Sequence, residues 1–97
     1  MVFEWDENKN RGNKKKHGVS FEVAKLVFDD PRLLSHLDPR QRYGEERWQS
    51  IGSAGGQVVL LVVHTVYEDD DGEEIIRIIS ARKAKASERK AYLQNYS

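Results

Sequence analysis

Val58-Val59-Leu60-Leu61-Val62-Val63-His64-Thr65-Val66 is a largely β-branched run with no polar face before His64-Thr65, and the architecture of the chain turns on it. Such a run is what a central strand covered on both sides requires. After it comes an acidic stretch in which Asp71-Gly72 reads as a hairpin tip, and then a returning strand from Glu74 to Ala81. Before it, Ala54-Gly55-Gly56 is a turn signal. The segment from Glu46 to Ile51 alternates Arg47, Gln49 and Ile51 against Trp48 and Ser50, as a half-buried strand does. Leu33 to Leu37 reads as a further strand, and Asp38-Pro39-Arg40 as a turn or polar loop.

The flanks are helical apart from the first residues. Val2-Phe3-Glu4-Trp5 alternates like a short strand, and Asp6 then offers an N-cap carboxylate. The helix it starts runs through a basic block to about Lys16, where His17-Gly18 stops it. Gly12-Asn13 weakens that helix, so docking rather than propensity must hold it. Ser20 caps a second helix with apolar residues Phe21, Ala24, Val27 and Phe28 at helical spacing, ended by Asp29-Asp30-Pro31. A basic C-terminal helix is expected from about Ala84 to Asn95. The expected order is a short strand, two helices, a four-stranded antiparallel meander and a terminal helix. That segregation is α+β, in a single domain over residues 1–97.

Composition narrows the function. The 97 residues are 38% hydrophobic and 33% charged, against a usual charged share of about 25%, so the core is small and a partner has stability to add. Without cysteine there is no disulfide, thiolate nucleophile or Cys-based zinc site. The longest apolar run, Val58 to Val63, is far short of the roughly 20 residues a bilayer needs, and nothing at the N-terminus reads as a signal peptide. The expected setting is reduced and cytoplasmic, with no membrane contact. The net charge is 16 − 16 = 0, yet the signs are segregated. Residues 9–17 carry Lys9, Arg11, Lys14, Lys15, Lys16 and His17 with no acid, and residues 77–90 carry six bases against Glu88 alone. Residues 68–74 carry six acids and no base. Steering depends on such local fields rather than on the total.

The returning strand carries the chemistry. Arg77 sits between Ile75-Ile76 and Ile78-Ile79, where a guanidinium is costly unless it finds an anion or water. Strand parity puts Arg77 and Arg82 on opposite faces, so their convergence needs the strand to end or bulge near Ser80-Ala81. Either Arg77 pairs with a carboxylate on a neighbouring strand and Arg82 is a helix-start charge, or the two are paired forks for a phosphate. His64, at the end of the central strand, and His17, at the end of the first helix, are the candidate proton carriers, while His36 reads as surface. The three histidines have no metal-ligand spacing, so no metal and no cofactor are expected. The glycines of the hairpin make no phosphate loop, and no serine sits on a nucleophile elbow. Metal-free chemistry or plain binding is left, with phosphate as the ligand.

The motifs have a family likeness. Phe3-Glu4-Trp5-Asp6 with Lys9 and Asn13, then Lys16-His17-Gly18-Val19-Ser20-Phe21-Glu22, Ala24 and Phe28-Asp29-Asp30-Pro31, resembles the opening of the BrnT toxin family. Arg77-Ile78-Ile79-Ser80-Ala81-Arg82-Lys83-Ala84 with Glu88-Arg89 and Tyr92 resembles its end, and Arg47, Ile51-Gly52 and Val62-Val63-His64-Thr65 resemble its middle. The resemblance implies a RelE-like α+β fold and a ribonuclease that halts translation, the toxin half of a bacterial type II toxin–antitoxin pair. It further implies a hetero-oligomer with a BrnA-like antitoxin, whose ribbon-helix-helix part binds operator DNA, which the toxin meets only through that antitoxin. By resemblance the active surface lies on the sheet beside the helices, bringing Arg77 and Arg82 to the Lys16-His17 region. Two positions depart from the family pattern. Lys85 replaces the Ser or Thr of a capping box, which frees Glu88 to pair with an Arg, and Tyr67 stands where many members carry Arg.

RNA cleavage without metal proceeds by attack of a 2′-hydroxyl on its adjacent phosphate, and needs a base, positive charge on the phosphorane and an acid. The expected machinery is Arg77 and Arg82 as charge stabilisers with His17 or His64 as base or acid. Lys16 and Lys83 hold flanking phosphates, and Trp5, Trp48 or Tyr67 stacks a base. The alternative is a non-catalytic protein-binding module that completes an antitoxin or repressor complex. A DNA-contacting regulator ranks below both, because the acidic Glu68–Glu74 stretch would repel a duplex.

Overall fold

The computed structural model describes residues 1–40 and 45–95. Strand β1 (Val2–Glu4) leads into helix α1 (Glu7–His17), and helix α2 (Phe21–Ala24) continues into a 3₁₀ turn (Lys25–Asp29). Strands β2 (Leu34–Leu37), β3 (Trp48–Ala54), β4 (Val58–Glu68) and β5 (Glu74–Lys83) follow, and helix α3 (Ala86–Gln94) closes the order. No helix among the described residues is long and apolar enough to cross a membrane.

The sheet is five-stranded and mixed, in the order β1-β5-β4-β3-β2, which corrects the expected four-stranded antiparallel meander. The correction comes from β1, which pairs parallel with the edge of β5 through Val2↔Ile75, Phe3↔Ile76 and Glu4↔Arg77. The neighbouring pairs from β2 to β5 are antiparallel, and the apolar run of β4 lies at the centre.

Two layers of packing use the two faces. On one, Leu60, Val62, Ile76, Ile78 and Ala81 bury against Val19, Phe21, Ala24 and Val27 from α2 and its flanks. On the other, Ile51 and Leu61 meet Ala84 and Tyr92, so α3 covers one end of that face. Val63 packs against the edge of this small cluster, and the part of the face that carries Thr65 and Arg77 lies beyond it. Gly52, which reads like a turn residue, is strand: a Cβ there would come within 2.9 Å of Leu33 Cδ1 and 3.0 Å of Val27 Cβ, so glycine lets the 3₁₀ turn lie on the sheet.

Helix α1 has no apolar residue, and its buried side chains are Asn10 and Asn13. Asn13 acts as a substitute strand at the β5 edge beyond β1. Its Nδ2 donates to the carbonyls of Ala81 and Val19 at 2.8 Å, and its Oδ1 accepts from the Ala81 N–H at 3.1 Å. Asn10 Oδ1 accepts from the Phe21 N–H at 2.8 Å and starts α2 beside the Ser20 cap. The Asp6 cap and the left-handed Gly18 C-cap bound α1 as the sequence predicts, with His17 its last residue.

Candidate active site

The register of β5 decides where its arginines point. Val63 pairs with Ser80 but His64 pairs with Ile78, so Ile79 is an extra, bulged residue. The bulge reverses side-chain parity, and Arg77, Ser80 and Arg82 thereby share one face. The sequence required a break of this kind near Ser80-Ala81, and the structure places it one residue earlier.

That face carries rows of side chains across the sheet. Glu4 pairs with Arg77 and Arg77 with Thr65, which is 6% exposed. Arg47, just before β3 and in phase with Gln49, comes next, and its carbonyl accepts from the Asp38 N–H at 2.8 Å. Arg47 and Arg77 thus flank the Thr65 hydroxyl from the two neighbouring strands. Beside them Asp38, Arg40, Arg47, Val63, Ile79 and Ser80 line a hollow of about 170 Å³. Arg82 is close enough to Arg40 for the two cations to oppose each other.

The arginines differ in how far their charge is already answered. Arg82 is held by both oxygens of Glu88 at 2.8 and 2.9 Å. This pair, reinforced by the Lys85 N–H at 2.7 Å, outweighs burial and holds the Glu88 carboxyl down at about 2. Glu88 pairs with an Arg, as the departure at Lys85 suggested, but it is not freed from the cap: it still accepts from the Lys85 N–H and closes the start of α3. Arg40 grips Asp38 through its side chain and its backbone N–H, and Asp38 is likewise held at about 2 against the effect of burial. Arg77 reaches Glu4 Oε1 at 3.5 Å, and the Tyr67 hydroxyl donates to the same oxygen at 2.8 Å. Among the described residues Arg47 has no carboxylate partner and its buried Nε no hydrogen-bond partner. A buried guanidinium N–H left unmatched is costly, and an oxyanion in the hollow would satisfy it.

Several expected members of the site lie elsewhere. His64 faces the opposite layer, 3% exposed, with its ring edge-on to Phe28. Its Nδ1 donates to the Thr65 carbonyl at 3.4 Å and its Nε2 takes the Ser50 hydroxyl at 2.6 Å, while Ser50 bonds Ser35 at 2.7 Å. Burial drives its pKa to about 4, so it stands neutral and walled off from the arginines. Trp5 is packed edge-on against Phe21, with Nε1 donating to Glu7 at 3.1 Å, and Trp48 lies on the His64 face. Neither stacks a base beside Arg77. Tyr67 does share the Arg77 face and is 46% exposed. Lys16 and His17 stand exposed one helical turn beyond Asn13, at the end of β5 that carries Arg82 and Lys83 and away from Arg77.

The sequence reading passed over Arg40, Arg47, Thr65 and Glu4 as site members. Arg47 was visible as a member of an alternating strand and of the family likeness, and its neighbours follow from a pairing register that no single segment contains. A larger hollow of about 460 Å³ borders the 3₁₀ turn, but Asp30 in it is a joint, accepting from Ser53 N–H, Arg32 N–H and the Tyr92 hydroxyl.

The comparisons bear on this geometry. A crystal structure of the Brucella abortus ribonuclease toxin BrnT is similar at a TM-score of 0.60 and 24% identity, covering 88% of this chain and 99% of that one, and so shares the fold. No curated protein matches. The family model described as the ribonuclease toxin BrnT of type II toxin–antitoxin systems matches residues 5–88. That span takes in both N-terminal helices, strands β2 to β5 and the Glu88 cap of α3, and with it the chain belongs to the BrnT family of type II ribonuclease toxins.

Proposed function

We propose that the open half of the β3–β4–β5 face is where this toxin cleaves RNA, without a metal and by internal attack. A ribose 2′-oxygen bonds to the adjacent phosphorus, the bond to the 5′-oxygen breaks, and a 2′,3′-cyclic phosphate and a 5′-hydroxyl result. The unmatched Arg47 Nε in a hollow that Arg40 also lines, with Arg77 and Arg82 on the same face, is the observation that carries this reading. Guanidiniums in this number suit a phosphorane and repel a divalent cation.

In this reading Arg47 and Arg77 hold the non-bridging oxygens, and Arg40 and Arg82 add charge at the rim. Asp38 and Glu88 are committed to their own arginines. Glu4, oriented by Tyr67 and Arg77, is then the acceptor for the 2′-hydroxyl proton, and the departing 5′-oxygen takes its proton from water. The His17 role expected from the sequence becomes a phosphate contact, together with Lys16 and Lys83, where the RNA continues past the β5 edge. Tyr67 offers its ring to a base. A RelE-like topology, translation arrest through mRNA cleavage and a BrnA-like ribbon-helix-helix antitoxin complete the proposal, supported by the family resemblance.

The test is incubation of antitoxin-free toxin with end-labelled RNA in EDTA, alone and with translating ribosomes. Cyclic-phosphate ends are expected, and Arg47→Ala should slow cleavage by about 10²–10³-fold, the range for a lost oxyanion donor. Uncut RNA in both arms from folded protein would favour the binding-module reading.

A further inference from the structure

The sheet face opposite the arginines has one bare end. There Phe28, Trp48, Val66 and Ile76 wall a groove of about 250 Å³ over Ser35 and His64. Its polar floor is satisfied internally by the Ser35–Ser50–His64 chain, so what the groove offers a ligand is apolar contact. Leu37, opposite Trp48 in the register, is 42% exposed and Val66 is 39% exposed. A small apolar groove with exposed apolar side chains at its rim is the shape that seats one bulky apolar side chain of a partner.

The same end is acidic. Val66 pairs with Ile76, and two residues further Glu68 pairs with Glu74 on the same face. Like charges directly opposite destabilise a sheet, and neither acid forms an ion pair among the described residues. Asp69, Asp70 and Asp71 extend the acidity into the hairpin tip, and only Glu73 is neutralised, by the N-terminal ammonium at 2.9 Å. Groove and acids lie about 7 Å apart, two residues along a strand. An apolar residue and a long, flexible Lys or Arg one helical turn apart, about 5–6 Å, can reach both.

We propose that this end of the sheet receives the antitoxin, through a segment that seats a bulky apolar side chain between Phe28, Trp48 and Val66 and sets Lys or Arg against Glu68 and Glu74. The inference rests on family membership, which establishes an antitoxin partner, and not on the assignment of the RNA site. RNA is a poor occupant because the acids repel its phosphates. A second copy of this chain is the rival occupant, since α3 exposes Leu93 beside Arg89 and Lys90. Such a contact is head-to-tail and tends to run on into open chains.

The experiment is calorimetric titration of the purified antitoxin into the toxin and into three variants, with cleavage and thermal unfolding measured alongside. Val66→Lys should weaken antitoxin binding about 30-fold or more, as expected of an interface anchor. Glu68→Lys turns the like-charged pair into an opposite pair, so it should raise the melting temperature of the free toxin while weakening the antitoxin about tenfold. A purely structural role would not divide the two readouts that way. Both variants should cut RNA as the parent does. Unchanged affinity in both folded variants would overturn the proposal. So would loss of binding in Arg47→Ala alone, which puts the antitoxin on the arginine face, or self-association of free toxin that the same two substitutions abolish. Failure of the RNA-site assignment would show only in the cleavage arm, leaving the binding arm to stand.

Discussion

His64 is a buried, neutral base among apolar neighbours, and that makes it a stability determinant with a definite pH window. Its folded pKa of about 4 lies below the unfolded value of 6.5, so between those values the unfolded chain binds the extra proton. Stability is therefore full above about pH 6.5 and falls as the pH drops towards 4, by about 3 kcal/mol once both states are protonated. The Asp38 contribution is lost later, as the pH falls from 3.8 through about 2, so the two windows separate. Urea titrations from pH 7 to pH 4 should show the decline in the parent and a much flatter profile in His64→Gln. An equal slope in both would mean that His64 is not the titrating group. The same burial explains why a histidine that reads as a proton carrier in Val62-Val63-His64-Thr65 is not one. Along β4 His64 keeps parity with the buried Leu60 and Val62, and the residues that close over it, Phe28 and Trp48, come from elements outside the segment itself.

Helix α1 is fastened by amides instead of apolar side chains, and its stability rests on few contacts. Asn13→Ala removes three hydrogen bonds and leaves the Ala81 N–H and C=O unmatched at the sheet edge. The expected cost is about 2–4 kcal/mol, from the range of about 1–3 kcal/mol for each buried group left unsatisfied. Hydrogen exchange should show α1 and the Ala81 amide losing protection together, while the centre of β4 stays protected. If α1 kept its protection, another contact would hold it. The need for docking was legible in Gly12-Asn13, and the helix limits in Asp6, Ser20 and Gly18, because caps are local chemistry. The membership of β1 was not legible. The alternation of Val2-Phe3-Glu4-Trp5 marks a strand, but parallel pairing to a strand more than seventy residues away leaves no trace in it. β3 was read short for a related reason: Gly52 is there for the approach of Val27 and Leu33, and only the tertiary packing tells that from a turn. Arg77 and Arg82 stood out as costly cations in an apolar strand, whereas Arg47 needed the register of three strands to become their neighbour.

Across the whole molecule the zero net charge divides into regions with different tasks. The arginine hollow opens on one sheet face, and the exposed cations of α1 lie beyond its edge with Lys83. The acidic hairpin and the apolar groove occupy the end where β4 and β5 turn, on the other face. A polyanion approaching this field is steered to the arginine side and away from the acidic tip, so the dipole orients RNA before any contact forms. The α1 block makes a measurable contribution if RNA follows the β5 edge as proposed. For single strands the logarithm of affinity falls with the logarithm of salt by about 0.7 per phosphate neutralised. Replacing Lys14, Lys15 and Lys16 together by Gln should therefore reduce the slope of RNA binding by about 2, with a loss of affinity that shrinks as salt rises. Arg47→Ala removes a contact of a different kind, in a hollow where salt screens less, and should lower affinity with a slope change of under about 1. Filter binding from low to physiological salt separates the two. A triple variant with the parent's slope would confine the RNA to the arginine face and leave the lysines of α1 to another partner.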